Sequence, residues 1–355
     1  MVLRQITLQH FRSYTKTTFD FDKQLTVIVG KNTSGKSNLI ESLFLLASGK
    51  SFRAEKDIDM IQFSQNLARV TGTLDTNGES TKLEVLISQG LTPNRIYVKK
   101  FLVNGVPKRG IDFVSHVHAV LFSPVDLQII SDSAGTRRKF FDTLLSQVDR
   151  PYRQALTIYT KALRHRNALL QLVQETGTRN ERQFDYWDEL LIVNGQYINK
   201  KRKEFLDFVN SAKKDIFAFL AVYDESTISP ERLLQYKDAE VGAGVTLVGP
   251  HRDDFSLQMF HEIDHTTRDV RQFGSRGQQR MAILQLKVLE LSYMEQAFGY
   301  RPLLLLDDIF SELDHMHIHV VLEMVGEQQT IITTTHKEFL ENFGKQEMKM
   351  IELGK

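Results

Sequence analysis

Apolar and polar side chains alternate over residues 3–9, the period of a strand with one buried face. Leu25-Thr26-Val27-Ile28-Val29 is a short β-rich run that stops at Gly30, so residues 1–30 read as two strands. The period then changes: over 38–47, Leu39, Ile40, Leu43, Phe44 and Leu46 fall on one wide face of a helix. Runs at 69–74, 82–87 and 95–103 are separated by turn formers such as Thr76-Asn77-Gly78-Glu79 and Gln89-Gly90, which predicts an antiparallel meander.

From 131 to 240 the pattern is that of long amphipathic helices. Ala155, Tyr159, Ala162 and Leu163 continue at helical spacing into Leu169, Leu170 and Val173, starting just after Pro151. A second helix is expected over 184–208, with Trp187, Leu190, Leu191, Ile198, Phe205 and Phe208 as core candidates. Strand character returns at 244–248, a helix follows Gln278, leucines fill 303–306, and a last strand covers 330–335. There is no internal repeat and no low-complexity segment. The helical piece reads as an insertion into one α/β domain made from both ends of the chain.

Length and composition narrow the class. The chain has 355 residues, 41% hydrophobic and 25% charged, which is ordinary for a folded domain and excludes disorder and fibrous repeats. Lys and Arg exceed Asp and Glu by one, so overall charge cannot hold a nucleic acid. Residues 131–215, however, carry 16 Lys/Arg against 11 Asp/Glu, which concentrates positive charge in the helical segment. There is no cysteine, which removes disulfides, thiolate zinc sites and cysteine nucleophiles. No run approaches the length of a membrane span, and the N-terminus lacks the apolar block of a signal peptide, so a soluble, cytoplasmic protein is expected.

The clearest chemistry is Gly30-Lys31-Asn32-Thr33-Ser34-Gly35-Lys36-Ser37, a complete G-x-x-x-x-G-K-[ST] between a strand and a helix. Glycines let the backbone turn and aim its N–H groups at phosphate oxygens, and the helix N-terminus adds partial positive charge. Lys36 would reach the β- and γ-phosphates, and Ser37 would offer a hydroxyl to Mg²⁺. Leu303-Leu304-Leu305-Leu306-Asp307-Asp308 is its expected partner, a buried strand delivering Asp307 to the ion, with Asp308 polarising the attacking water. Together they indicate a P-loop ATPase or GTPase, and the absence of an Asn-Lys-x-Asp guanine reader favours ATP. Phe273-Gly274-Ser275-Arg276-Gly277-Gln278-Gln279-Arg280 opens an apolar helix and forms a second possible anion site, or a plain helix cap by Ser275.

This combination resembles the ABC-type ATPase heads of the SMC class, most closely the RecF family. Ser275 to Arg280 is similar to the family's signature motif, Ser311-Glu312-Leu313-Asp314 to its D-loop, and Phe11-Arg12-Ser13-Tyr14 to its N-terminal motif. Asp126-Leu127, Arg137-Arg138-Lys139-Phe140-Phe141-Asp142 and Gly249-Pro250-His251-Arg252-Asp253-Asp254 also match, and the likeness covers essentially the whole chain. The resemblance implies an α/β fold: an ABC-type P-loop head with an antiparallel β lobe (1–125 and 241–355) and an inserted, mostly helical domain (126–240). It implies that Arg12, Gly30, Lys31, Asn32, Thr33, Ser34, Gly35, Lys36 and Ser37 bind ATP, with Ser37 and Asp307 on Mg²⁺. Ser275, Gly277, Gln278 and Asp314 would close on the nucleotide across a dimer interface. Lys36, Asp307, Asp308 and the switch residue His336 would be catalytic. Thr33 stands where many relatives have Gly, and His336 where many have Asp. Asp308 is one methylene shorter than the Glu of many ABC ATPases, so slow turnover is expected, with ATP as a dimerisation switch.

The resemblance also implies a function: binding of double-stranded DNA at gaps or junctions, ATP-dependent homodimerisation, and work with RecO and RecR to help RecA load during recombinational repair. Arg137-Arg138-Lys139, Arg164 with Arg166, and Lys200-Lys201-Arg202-Lys203 are the candidate DNA contacts, or else solvated helix faces. A transporter subunit is disfavoured by the long gap from Ser37 to Ser275, and a P-loop nuclease or kinase because no metal-nuclease carboxylate set or second substrate pocket is evident. His315, His317 and His319 read as a surface helix. His251-Arg252-Asp253-Asp254 reads as an ion site or as a set of structural ion pairs. Trp187 and its aromatic neighbours read as core.

Overall fold

A computed structural model describes residues 1–76, 78–92, 95–261, 265–309, 325, 327–335 and 347–354. The chain opens with β1 (Val2–Phe11), β2 (Tyr14–Asp20), β3 (Leu25–Gly30) and α1 (Lys36–Ser48). There follow β4 (Leu67–Thr76), β5 (Glu79–Thr92), β6 (Arg95–Val103), β7 (Val106–Lys108), α2 (Gly110–Phe113) and β8 (Ala119–Phe122). The helical stretch holds α3 (Gln128–Ser131), α4 (Ala134–Val148), α5 (Arg150–Thr176) and α6 (Glu181–Ser211), then β9 (Leu220–Asp224), α7 (Pro230–Gln235) and α8 (Lys237–Ala243). The remainder is β10 (Asp254–His261), β11 (Thr266–Asp269), α9 (Val270–Phe273), α10 (Arg276–Phe298), β12 (Leu303–Asp307), β13 (Thr330–Thr334) and β14 (Lys349–Leu353). Contacts divide the chain into two compact units, Met1–Asp126 with Glu290–Lys355, and Leu127–Leu289, so residues 241–289 pack with the helical segment. Among the described residues no helix is long and apolar enough to cross a membrane.

In the first unit, an antiparallel sheet ordered β2-β1-β4-β5-β6-β7 faces a parallel sheet ordered β14-β3-β13-β12-β8, with α1 in contact with strands of both. That position explains why α1 is apolar nearly all round: Leu39 to Ala47 are all buried, Glu41 and Ser42 included. The parallel strands are covered on both faces, so β12 and β13 read as unbroken buried runs rather than alternating ones. The meander forms as expected. Several strands were not legible, β7, β8 and β14 among them; in β2, Tyr14–Asp20 buries only Tyr14 and Phe19, and its Thr and Lys positions gave no β run.

The second unit is built on the α5–α6 pair. Asp149 caps α5 by accepting from the Tyr152 amide at 2.8 Å, Pro151 sits in the first turn, and Gly177 ends the helix in the left-handed region. The short connection to α6 folds the two helices back antiparallel. Phe140, Phe141, Phe205 and Phe255 fill the space between α4, α6 and the antiparallel sheet β11-β10-β9. The expected strand at 244–248 is not formed. Side chains take its backbone groups instead, with Asn167 Oδ1 accepting from Thr246 N and Glu240 Oε1 from Leu247 N.

The Gly249–Asp254 motif is a structural hub. Buried Asp253 accepts hydrogen bonds from Arg202, Asn199, Tyr223 and the Ser226 amide. Arg202, itself buried, also reaches Asp142, Tyr152 and the Pro250 carbonyl. His251 lies between the Tyr159 hydroxyl (2.7 Å from Nδ1) and the Thr246 carbonyl (3.0 Å from Nε2). A carbonyl can only accept, so Nε2 carries the proton and Nδ1 accepts from Tyr159. Burial, with nearby Arg252, Arg138 and Arg166, pushes the imidazole down to about 4. The unfolded chain, with an ordinary histidine near 6.5, therefore binds more protons between those values, and acid favours unfolding there. Lowering pH from 7 to 5 should cost about 2 kcal/mol through this group, read as a fall in the urea midpoint. His251→Gln should flatten that dependence; an equally steep curve in the variant would remove His251 as its source.

Candidate nucleotide-binding site

Two parallel strands that both pair with β13 end at this site: β3 runs into the Gly-rich loop and β12 ends in Asp307. Ligands of open parallel sheets sit at such carboxyl ends. The loop turns back at Gly35, φ 101°, where a Cβ would come within 2.8 Å of the Tyr14 hydroxyl, so the residue must be glycine on both counts. Tyr14 donates to the Gly35 carbonyl at 3.1 Å and is buried, which pushes its phenol up to about 12. Thr33 has φ 70°, the left-handed conformation that glycine adopts without strain.

Lys36 is buried, and its ammonium donates to the Gly30 and Lys31 carbonyls at 2.6 and 3.0 Å. Burial lowers its pKa, while the charges of Asp308 and Asp307 oppose that shift. Ser37 Oγ donates to Asp307 Oδ1 at 3.0 Å, and Thr333 Oγ1 donates to the same oxygen at 2.7 Å. Asp308 follows with φ 51°, its amide 3.1 Å from the Thr333 carbonyl. Lys36, Ser37, Asp307 and Asp308, all expected from the sequence, are thus brought together. Thr333 was not expected, and only the pairing of β13 between β3 and β12 reveals it.

A second group underpins the loop. Glu41, fully buried on α1, receives Arg12 through Nε and Nη2 at 2.9 and 2.7 Å, Arg53 at 2.9 and 2.7 Å, and the Ser51 hydroxyl at 2.6 Å. Burial alone would raise its carboxyl, but these donors outweigh burial and hold it below the usual carboxylate range. Arg12 also donates to the Asp59 carbonyl. Its guanidinium is thus seated on Glu41 in this structure, not free above the loop. A lone glutamate inside an apolar helical run was the signal in the sequence for this network.

Ser275 and Gln278 form a reciprocal cap on α10: Ser275 N donates to Gln278 Oε1 at 2.8 Å and Gln278 N to Ser275 Oγ at 3.2 Å. Ser275, Arg276 and Gly277 are exposed at this helix end, which lies in the second unit. Asp314 and His336, with the rest of 311–314, fall outside the described residues. Among the described residues no group of three or more His, Asp or Glu gathers to hold a metal.

The candidate DNA cations divide. Arg137 is buried, pairing with Asp254 and the Asp132 carbonyl; Arg166 is buried between Asp188 and Glu240; Arg202 belongs to the Asp253 hub. These three are internal, because a helix that buries one face also buries the charges on it, with partners. Lys139, Arg164, Lys200 and Lys203 are exposed. Trp187, expected in the core, is only half-buried.

Residues 2–353 match the family described as RecF/RecN/SMC N terminal domain. The chain is 34% identical to a DNA replication and repair protein RecF of Thermosynechococcus vestitus, over 95% of this chain and 91% of that one. It is 32% identical to the protein of the same name from Shouchella clausii, over 96% and 95%. Among solved structures, one titled as the recombination mediator protein RecF-ATP in the RecFOR pathway superposes with TM-score 0.84 at 30% identity, covering 95% of this chain and 92% of that chain. An Smc head domain from Pyrococcus furiosus aligns with TM-score 0.52 at 17% identity, a likeness of fold alone.

Glu41→Gln leaves two guanidinium groups facing a neutral amide. It should destabilise the protein by about 3–5 kcal/mol, the cost of breaking a buried ion cluster from one side, measured by urea denaturation. A change under 1 kcal/mol would mean that Arg12 and Arg53 find other partners.

Proposed function

The chain belongs to the RecF/RecN/SMC N-terminal domain family, among its RecF proteins, and from that membership we propose that it is an ATP-switched, DNA-binding protein of recombinational repair. The observation that supports the reading most is the Ser37–Asp307 hydrogen bond beside Lys36, since a hydroxyl and a carboxylate side by side at a Gly-rich loop suit a Mg²⁺-bound triphosphate. Both are hard oxygen donors, so the residues present fit Mg²⁺, with phosphate oxygens and water completing its shell. The ion, once bound, neutralises charge on the β- and γ-phosphates.

The residues then divide the work. Amides of 31–37 and the N-terminus of α1 cradle the phosphates, and Lys36 exchanges its two carbonyl partners for phosphate oxygens. Ser37 and Thr333 fix the Asp307 carboxylate by donating to one of its oxygens, and Asp307 with Ser37 would hold the ion. Asp308 orients the attacking water and accepts its proton, and its short side chain makes hydrolysis slow. Arg12 could reach a phosphate only by leaving Glu41 to Arg53.

Closure comes from a second copy. Ser275, Gly277 and Gln278 of one protomer meet the γ-phosphate held by the other; Asp314 supports that interface and His336 senses the phosphate. Two copies closed on ATP hold double-stranded DNA at gaps or junctions, and hydrolysis releases it. RecO and RecR act with it to help RecA load.

Sedimentation velocity with and without ATP and duplex DNA tests this. Wild type should shift from monomer to dimer with ATP, Asp308→Asn should remain dimeric, and Ser275→Arg should stay monomeric while still binding ATP. A monomeric Asp308→Asn at saturating ATP would refute the switch.

A further inference from the structure

Two aromatic residues of the α5–α6 pair, Tyr186 and Trp187, do not sit in the core. Phe184 takes the buried position, while Trp187 is half-exposed and lies flat on His165, ring centroids 4.4 Å apart and planes 5° from parallel. Tyr186 meets the edge of Trp187 at 4.8 Å and is 59% exposed. Apolar positions extend the strip: Ile158 and Leu172 lie seven residues either side of His165, and Val193 seven beyond Tyr186, all three exposed. Seven residues is two helical turns, so each set lies along one line of its helix. Exposed aromatic surface costs solvation energy and is uncommon on a surface with no partner.

The charges beside this strip say what would cover it. Between Arg150 and Gln174 the chain has no acidic residue. Lys161, one turn before His165, and Arg164, beside it, are exposed, as is Arg182, one turn before Tyr186. On α6 the acids Asp185 and Glu189 are exposed on the side that carries Tyr186 and Val193, and Asp188 is occupied by Arg166, so the uncompensated positive charge lies on α5. A peptide helix would satisfy the apolar strip and leave the cations unmatched. A nucleic acid satisfies both, and a single strand does so best, because a duplex covers the faces of its bases.

We propose that this face binds single-stranded DNA, with bases stacked on the Tyr186–Trp187–His165 platform and phosphates along Lys161 and Arg164 of α5. The proposal deepens the DNA-binding reading above and rests on it. A second, single-strand site on the helical unit would let the protein distinguish a gapped duplex from an intact one. The stacked pair is already ordered, so binding loses little side-chain freedom there.

Trp187 is the chain's only tryptophan, which makes it a direct reporter. Intrinsic fluorescence of the full-length protein, titrated with oligo(dT), should be quenched to saturation, and far less by a blunt duplex of equal phosphate content. His165→Ala combined with Tyr186→Ala should weaken oligo(dT) binding by about tenfold or more, and Lys161→Glu with Arg164→Glu by a similar factor at low salt. Blunt-duplex affinity and ATP binding should stay within about twofold of wild type in the first pair, which also shows that it folds. Oligo(dT) binding without Trp187 quenching, or unchanged in both variants while duplex binding persists, overturns this site alone. Failure of the wild-type protein with ATP to bind either DNA overturns the parent reading with it.

Discussion

Ser37 and Asp307 are 270 positions apart and share a hydrogen bond of 3.0 Å, and the candidate site exists only because that contact is made. It is made by strand order. β13 lies between β3 and β12, in register from Leu25 to Val29 on one side and from Leu304 to Asp307 on the other. Both neighbours then end at the same edge of the sheet, one in the Gly-rich loop and one in a carboxylate. A one-residue slip of β12 would turn Asp307 to the opposite face, because side chains alternate along a strand. Thr333 supplies the check on register: its hydroxyl reaches Asp307 only in the pairing observed.

The buried charges of this molecule gather in clusters that fix its geometry. Glu41 gathers two arginines beneath the loop, and Asp253 gathers Arg202 with three further donors. Such clusters contribute little net stability relative to apolar packing, but removing one member leaves a buried charge unpaired, so they fix geometry more than they add free energy. In the second unit, three cations that look available in the sequence hold helices together. Of the basic runs, Lys139, Arg164, Lys200 and Lys203 remain exposed.

The sequence was most legible where one strong local signal sufficed. The Gly-rich loop, the leucine strand, the meander and the long helices all follow from spacing, because neighbours in the chain decide them. Legibility failed where tertiary partners decide. β2 shows too few apolar residues to stand out, and 244–248 looks like a strand but gives its amides to Asn167 and Glu240. Arg137, Arg166 and Arg202 sit in basic runs, and nothing local reveals that Asp254, Glu240 and Asp253 await them. Trp187 has helical spacing but sits on the flank of its helix rather than the buried face. For Ser275 the local reading held in part, since the hydroxyl caps α10 whatever else it meets.

Mg²⁺-dependent nucleotide binding by Ser37→Ala, Asp307→Asn and the double variant, followed by calorimetry, tests the central contact most directly. Each single substitution should weaken Mg·ATP binding by about tenfold or more, and the double should be little worse than either, because the two residues act as one unit. Without Mg²⁺ all four proteins should bind ATP alike. Additive losses, or equal losses with and without the ion, would contradict the account.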